Sequence, residues 1–307
     1  MLKSVLILLA LGAGLLLPSL NGFTYTLRPF LMTLLFFSFL QVRLDRSIFS
    51  RYQWWIALLL PPLGVGVYFL GAAYEPDLGL TLLLMGLAPT AVITPVLAGI
   101  MRRRVGYMVG AIMVTHAVFA VTVPLVLPWL LGVVLSPAAL GRLVLTIGST
   151  IAVPLILGQL VRYYGGPVRG ILARAAPFAF ALFLSNVAVA AGSLSYYLRY
   201  ESTTPLLFVV ITALAIGLLM LLNFGIGGYL SPAGHTVEGS LALGRKNTML
   251  AIWIALEYVN PLVVLGPMLY ILLQNVFVAG QIIYVDRLDR RRAQSLSQRN
   301  CSTPPRS

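Results

Sequence analysis

The sequence predicts an all-α polytopic membrane protein, with ten transmembrane helices arranged as two five-helix repeats of opposite orientation. Three observations predict it. The chain is 59% hydrophobic and only 9% charged, with a mean hydropathy of +0.95. A soluble chain of 307 residues would lack the polar residues to cover that apolar surface. Its apolar runs suit helices of about 20 residues, the length that crosses roughly 30 Å of hydrocarbon. Lastly, two of these runs, five spans apart, are interrupted near their midpoints.

Taken in order, apolar runs between charged or Gly/Pro-marked breaks fall at 3–20, 25–42, 52–72, 78–101, 105–131, 139–163, 170–191, 205–230, 236–257 and 259–285. The first, Lys3 followed by "SVLILLALGAGLLLP", has the character of a signal peptide. No small-x-small cleavage site follows and further spans come at once, so it reads as a retained helix. Residues 1–135 form the first expected repeat and 136–286 the second. Residues 287–307, "RLDRRRAQSLSQRNCSTPPRS", read as a basic, disordered cytoplasmic tail able to lie on anionic lipid. The single cysteine, Cys301, sits in that tail, so no disulfide framework is expected.

The basic residues test the span count. With ten spans, Lys3, Arg43, Arg46, Arg51, Arg102, Arg103, Arg104, Arg162, Arg169, Arg174, Arg287, Arg290, Arg291, Arg292, Arg299 and Arg306 share one side. The other side carries Arg28, Arg142 and Arg199, with the acids Glu75, Asp77 and Glu201. An asymmetry of sixteen to three orients the chain in the cell membrane with both termini cytoplasmic. It also explains the net charge of +13 by topology, so no nucleic-acid partner is expected. Trp54, Trp55 and Trp129 fall near span ends, as interface anchors do, and Glu257 lies at an interfacial end.

The interrupted runs carry the functional signal. The fourth, "DLGLTLLLMGLAPTAVITPVLAGIM", has Pro89 near its midpoint and Pro95 beyond it. The ninth, "TVEGSLALGRKNTMLAIWIALEY", has Gly244, Arg245 and Lys246 there, and Lys246 is one of only two lysines in the chain. A helix broken at the midplane frees backbone N–H and C=O groups, which must be met by protein or trapped water. Those groups and the half-helix dipoles can bind ions or polar solutes, so paired breaks in two halves point to a transporter site. The alternative for Pro89 is a kinked helix that merely packs well. For Arg245 and Lys246 it is a loop, which would leave 236–244 outside the membrane and disrupt the tenth span.

"GRKNTMLA", then an apolar stretch and "NPLVVLGPMLYILLQN", resembles the ninth and tenth helices of the bile acid:sodium symporter family. "LAPTAVITPVLAG" resembles that family's fourth helix, and "THAVFAVTVPLVLP" the proline-marked end of its fifth. The resemblance implies a core of helices 3–5 and 8–10 carrying two crossed, broken helices. Helices 1, 2, 6 and 7 would form a panel, with the substrate cavity between panel and core. Where sodium-coupled members carry a ninth-helix Glu, this chain has Ala242; where they carry a Gln it has Lys246, and the following Asn is kept as Asn247. The family's fourth-helix Ser-Asn pair falls on Ala91 and Val92, and a hydroxyl ligand of the fifth helix falls near His116. Oxygen ligands for sodium are therefore missing and nitrogen groups replace them. The resemblance implies a sodium-independent carrier whose Lys246 ammonium stands where a coupling cation would be.

The expected substrate- or ion-binding residues are Lys246, Asn247, Thr248, Arg245, His116, Thr90, Thr94, Thr115 and Asn275. A lysine at a span centre costs about 2.5–3.5 kcal/mol on insertion scales, so it needs a compensating environment. His116, central in its span, is either a packed neutral imidazole or a proton relay. The four threonines either supply hydroxyls to the site or bond back to their own helices. Asn223, Gln274 and Asn275 are deep amides that serve as interhelical glue or substrate contacts.

The expected function is secondary or facilitative transport of a small organic solute, anionic because the midplane is positive and lacks a carboxylate. Proton coupling through Lys246 or His116 follows if substrate binding changes their protonation. No cofactor or metal is expected, and the protein is a monomer or homodimer. An intramembrane enzyme is the alternative, but no HExxH motif, paired acids or phosphate-cradling loop stands in the spans. A transporter-fold ligand sensor is the other, and the short tail would then require a separate output partner.

Overall fold

Among the described residues the ten apolar runs become thirteen α-helices, because some runs fold as two short pieces. The structure, a computed structural model, describes residues 2–41, 48–201 and 204–302. Arg43, Arg46 and Arg306 of the charge count lie outside the described residues. Helix α1 is Leu2–Leu16, and a 3₁₀ stretch at Pro18–Thr26 leads straight into α2, Leu27–Gln41. Helix α3, Arg51–Ala72, opens with a capping box: the Ser50 hydroxyl accepts the Tyr52 N–H, while the Gln53 carbonyl oxygen accepts the Ser50 N–H. Then come α4, Pro76–Leu87; α5, Thr94–Ile100; and α6, Val105–Leu130. Helix α7, Pro137–Tyr164, starts with Pro137 at its first position and the Ser136 side chain accepting from Ala139 N. Short α8, Gly166–Arg174, precedes α9, Ala176–Tyr196, which runs into a π-turn at Tyr197–Glu201. The chain ends with α10, Leu206–Tyr229; α11, Thr236–Gly244; α12, Thr248–Tyr258; a 3₁₀ turn at Pro261–Val264; and α13, Leu265–Ser302.

This overturns the ten-span, two-repeat plan. Among the described residues seven helical stretches are long and apolar enough to cross a membrane: Pro18–Leu40, Arg51–Ala72, Val105–Leu130, Pro137–Tyr164, Phe180–Glu201, Leu206–Tyr229 and Pro261–Arg291. The physical reason is that apolar length is not helix length. Run 78–101 folds as α4 and α5, of 12 and 7 residues, and run 236–257 as α11 and α12, of 9 and 11. At about 1.5 Å per residue, none of the four reaches across the hydrocarbon. Helix α1 stops after 15 residues, where Pro18 starts the 3₁₀ turn that joins the second span. The sequence puts the seventh run at 170–191, whereas α9 runs Ala176–Tyr196, its spanning stretch is Phe180–Glu201, and α8 stands apart from it. The tail expected to be disordered from residue 287 continues α13 as helix to Ser302. A multi-span, all-helical membrane protein stands; ten spans in inverted five-helix repeats do not.

The helices pack in two groups. Helices α1, α2, α7 and α9 pack on one another, and α3, α4, α6, α10, α11 and α13 form the larger group. Without a hydrophobic driving force between helices in lipid, close approach depends on small residues. Gly64 and Gly71 of α3 face Gly86 and Gly79 of α4 in this way. A Cβ added at Gly79 would lie 2.8 Å from the Ala72 Cβ and 2.9 Å from the Ala72 N and the Tyr68 carbonyl oxygen. Backbone cannot yield as a side chain can, so Gly79→Ala is expected to lower the thermal midpoint, at a cost of about 1–3 kcal/mol. Gly12→Ala in α1, where nothing lies within 4 Å, should leave the midpoint unchanged or raise it. Equal midpoints for the two variants would contradict close α3–α4 packing.

Candidate functional site

Two short helices ending inside the protein leave carbonyls and N–H groups without intrahelical partners, and the site forms where those groups meet. The breaks after α4 and after α11 lie side by side and pair antiparallel at Thr90 and Lys246. Ala91 N–H donates to the Arg245 carbonyl at 2.7 Å, and Asn247 N–H donates to the Pro89 carbonyl at 2.7 Å. Four further freed backbone groups are met by side chains. Thr115 Oγ1 of α6 accepts the Thr90 N–H at 3.1 Å, and Thr90 Oγ1 donates to the Ala242 carbonyl at 2.6 Å. From α13, Gln274 Oε1 accepts the Lys246 N–H at 3.1 Å, and the Tyr270 hydroxyl donates to the Gly244 carbonyl at 2.7 Å. The two breaks are thus tied to each other, to α6 and to α13.

Asn247 and His116 form a directed pair. Asn247 Oδ1 caps α12 by accepting the Leu250 N–H, so its amide nitrogen faces His116 Nε2 at 3.1 Å. His116 Nδ1 lies 2.8 Å from the Ile112 carbonyl, which can only accept. Both contacts are satisfied together by one form, a neutral imidazole with its proton on Nδ1. Phe39 of α2 meets the His116 ring edge-on, at 6.5 Å between centroids. Beside Phe39 and Ile112 lies a void of about 10 Å³, also lined by Ser38, Val92, Val109 and Met113. That is room for about one water.

The two cations point to different partners. Lys246 is 1% exposed, and its Nζ donates to the Gly86 carbonyl at 3.1 Å. Gly86 stands in the last turn of α4, where orphan carbonyls gather the negative end of the helix dipole. Arg245 Nη2 instead donates to Asn275 Oδ1 of α13 at 2.7 Å, while its Nε and Nη1 are buried with no hydrogen-bond partner. Among the described residues neither cation forms an ion pair.

Of the residues named from sequence, the structure brings together Lys246, Asn247, Thr90, Thr115, His116, Arg245 and Asn275. Thr115 also bonds back to Ala111 O at 2.7 Å, and Thr94 bonds back to Ala91 O at 2.8 Å, within the break after α4. Thr248 is the buried first residue of α12. Tyr270 was missed, although it sits one helical turn before Gln274 and so shares its face. Arg28 was counted only as a loop charge. It is half-buried, bonds to Thr150 Oγ1, Ser149 Oγ and the Thr146 carbonyl of α7, and lies 5.7 Å over the Trp253 ring of α12. No known family model matches the chain, and no curated protein matches it.

Proposed function

We propose that the protein is a sodium-independent carrier of a small organic anion, in which the Lys246 ammonium occupies the place of a coupling cation. The observation that carries this reading is a pair of adjacent cations with no carboxylate partner among the described residues: Lys246, which is buried, and Arg245, which is half-buried with its Nε and Nη1 enclosed. Uncompensated buried charge is costly, and an anionic ligand is the natural complement. The resemblance of "GRKNTMLA" to the bile acid:sodium symporter family supports the same reading, as do the side chains without oxygen at Ala91 and Ala242. The division of labour follows from the hydrogen bonds. Lys246 is committed to the end of α4, and Arg245 keeps Nε and Nη1 for an acceptor.

The test is a thermal-shift screen of small carboxylates, sulfonates and phosphates on purified protein, repeated with Na⁺ replaced by K⁺ or choline at constant ionic strength. Anions should raise the midpoint, equally in all three salts. A saturable, sodium-specific rise in affinity would overturn the place assigned to Lys246.

A further inference from the structure

One buried acid takes no part in the crossing. Glu238 lies in the first turn of α11 and is 1% exposed. Its Oε1 accepts the backbone N–H of Arg104 at 3.1 Å and stands 3.4 Å from His235 Nδ1. Its Oε2 is buried and has no hydrogen-bond partner. A carboxylate oxygen in that position is costly, and a proton removes the charge while giving the oxygen a hydrogen of its own.

A route to water lies on the other side of the histidine. Arg104, Tyr107 and His235 line a cavity of about 590 Å³ that also touches Tyr52, Ser50 and Pro232. The His235 ring is stacked on Tyr107 at 6.0 Å, with 3° between the planes, and its side chain is 21% exposed. His235 thus bridges an open cavity and an enclosed acid. Several other charged groups at this end have partners of their own. Asp289 of α13 pairs with Arg103 at 3.0 Å, Asp286 with Arg290 at 3.0 Å, and Arg51 of α3 lies over the Tyr52 ring. Arg104 faces Glu238 through its backbone N–H.

We propose that Glu238 is a proton-binding site loaded from this cavity through His235. Water in the cavity gives a proton to Nε2 of the neutral ring, and the Nδ1 proton passes to Glu238 Oε1. The ring ends neutral with its proton on Nε2, and the carboxylate ends as a carboxylic acid. Neutralising Glu238 weakens the tie between the start of α11 and the start of α6. Helix α11 ends in the crossing, with Arg245 as its C-cap, so the change is delivered to the cationic pair. Resting on the carrier reading, this makes the proton the ion that couples to anion movement.

The proton site is tested without any substrate, by infrared difference spectroscopy of the full-length protein in lipid vesicles through an acidic pH step. A carboxylic C=O band should appear on acidification, be lost in Glu238→Gln, and move in frequency in Glu238→Asp. His235→Gln should slow its formation without removing it. A band of unchanged amplitude in a folded Glu238→Gln, or one unmoved in Glu238→Asp, overturns the assignment. With an anion from the thermal-shift screen, flux should depend on pH in wild type and lose that dependence in Glu238→Gln. Flux with an unchanged pH profile in that variant overturns the coupling role. A protein that binds its proton at Glu238 but moves no anion sinks the carrier reading while leaving the site in place.

Discussion

Lys246→Met is expected to give a folded protein of lower thermal midpoint that has lost at least about tenfold in anion binding, a change of roughly 1.4 kcal/mol or more. The two effects share one cause. The Nζ–Gly86 hydrogen bond at 3.1 Å satisfies a carbonyl at the end of α4 and places positive charge at that helix's negative pole. Removing the ammonium strands a buried acceptor, at about 1–3 kcal/mol, and loses a favourable dipole term of roughly 0.3–1 kcal/mol. Methionine fills similar volume, so packing is kept and the loss is one of charge. Lys246→Arg keeps the charge but must fit a planar fork into a pocket built for a single nitrogen, so it should retain part of the binding. Normal binding and flux in Lys246→Met would reduce Lys246 to a structural cap.

Arg245→Gln is expected to move stability and binding in opposite senses. Arg245 leaves Nε and Nη1 buried without partners, so the free protein bears the cost of a charged group that is only half satisfied. Replacing it with a shorter neutral amide, which carries no buried charge, should leave the thermal midpoint unchanged or raise it. Binding of a carboxylate should fall, because charge-assisted hydrogen bonds are each worth about 1.5–3 kcal/mol, or roughly tenfold to over a hundredfold. Midpoints and titrations on the same preparations separate the two adjacent cations: Lys246→Met loses both stability and binding, Arg245→Gln only binding. A lowered midpoint with intact binding in Arg245→Gln would show that this guanidinium is structural.

Composition and charge patterning make the membrane class and the chemistry of the breaks legible, because both depend on residue type alone. Pro89 and "LGRKN" mark the places where the helices stop. Helix length was not legible. Pro89 marks the break in run 78–101, but not that the pieces on either side, of 12 and 7 residues, are each too short to span. Run 170–191 misplaced α9, because Ser193, Ser195 and Tyr196 look like a span's end. In the folded protein Ser195 donates to the Leu15 carbonyl of α1 at 2.7 Å, and the helix carries on to Tyr196. Partners distant in sequence account for the remaining gaps. Nothing local tells that Lys246 meets Gly86, or that Arg28 lies over Trp253. For His116 the sequence left a packed imidazole and a proton relay open; both ring nitrogens are engaged, at Ile112 and Asn247, which favours the packed form.

Carrier function itself is tested most directly by uptake of a labelled organic anion, chosen from the thermal-shift screen, into vesicles containing the purified protein. Measured in potassium buffer without sodium, uptake should be saturable, inhibited by the unlabelled anion, undiminished relative to sodium buffer, and lost with Lys246→Met. Binding of the same anion with no uptake above protein-free vesicles in either buffer would contradict transport and leave a ligand-binding membrane protein in its place.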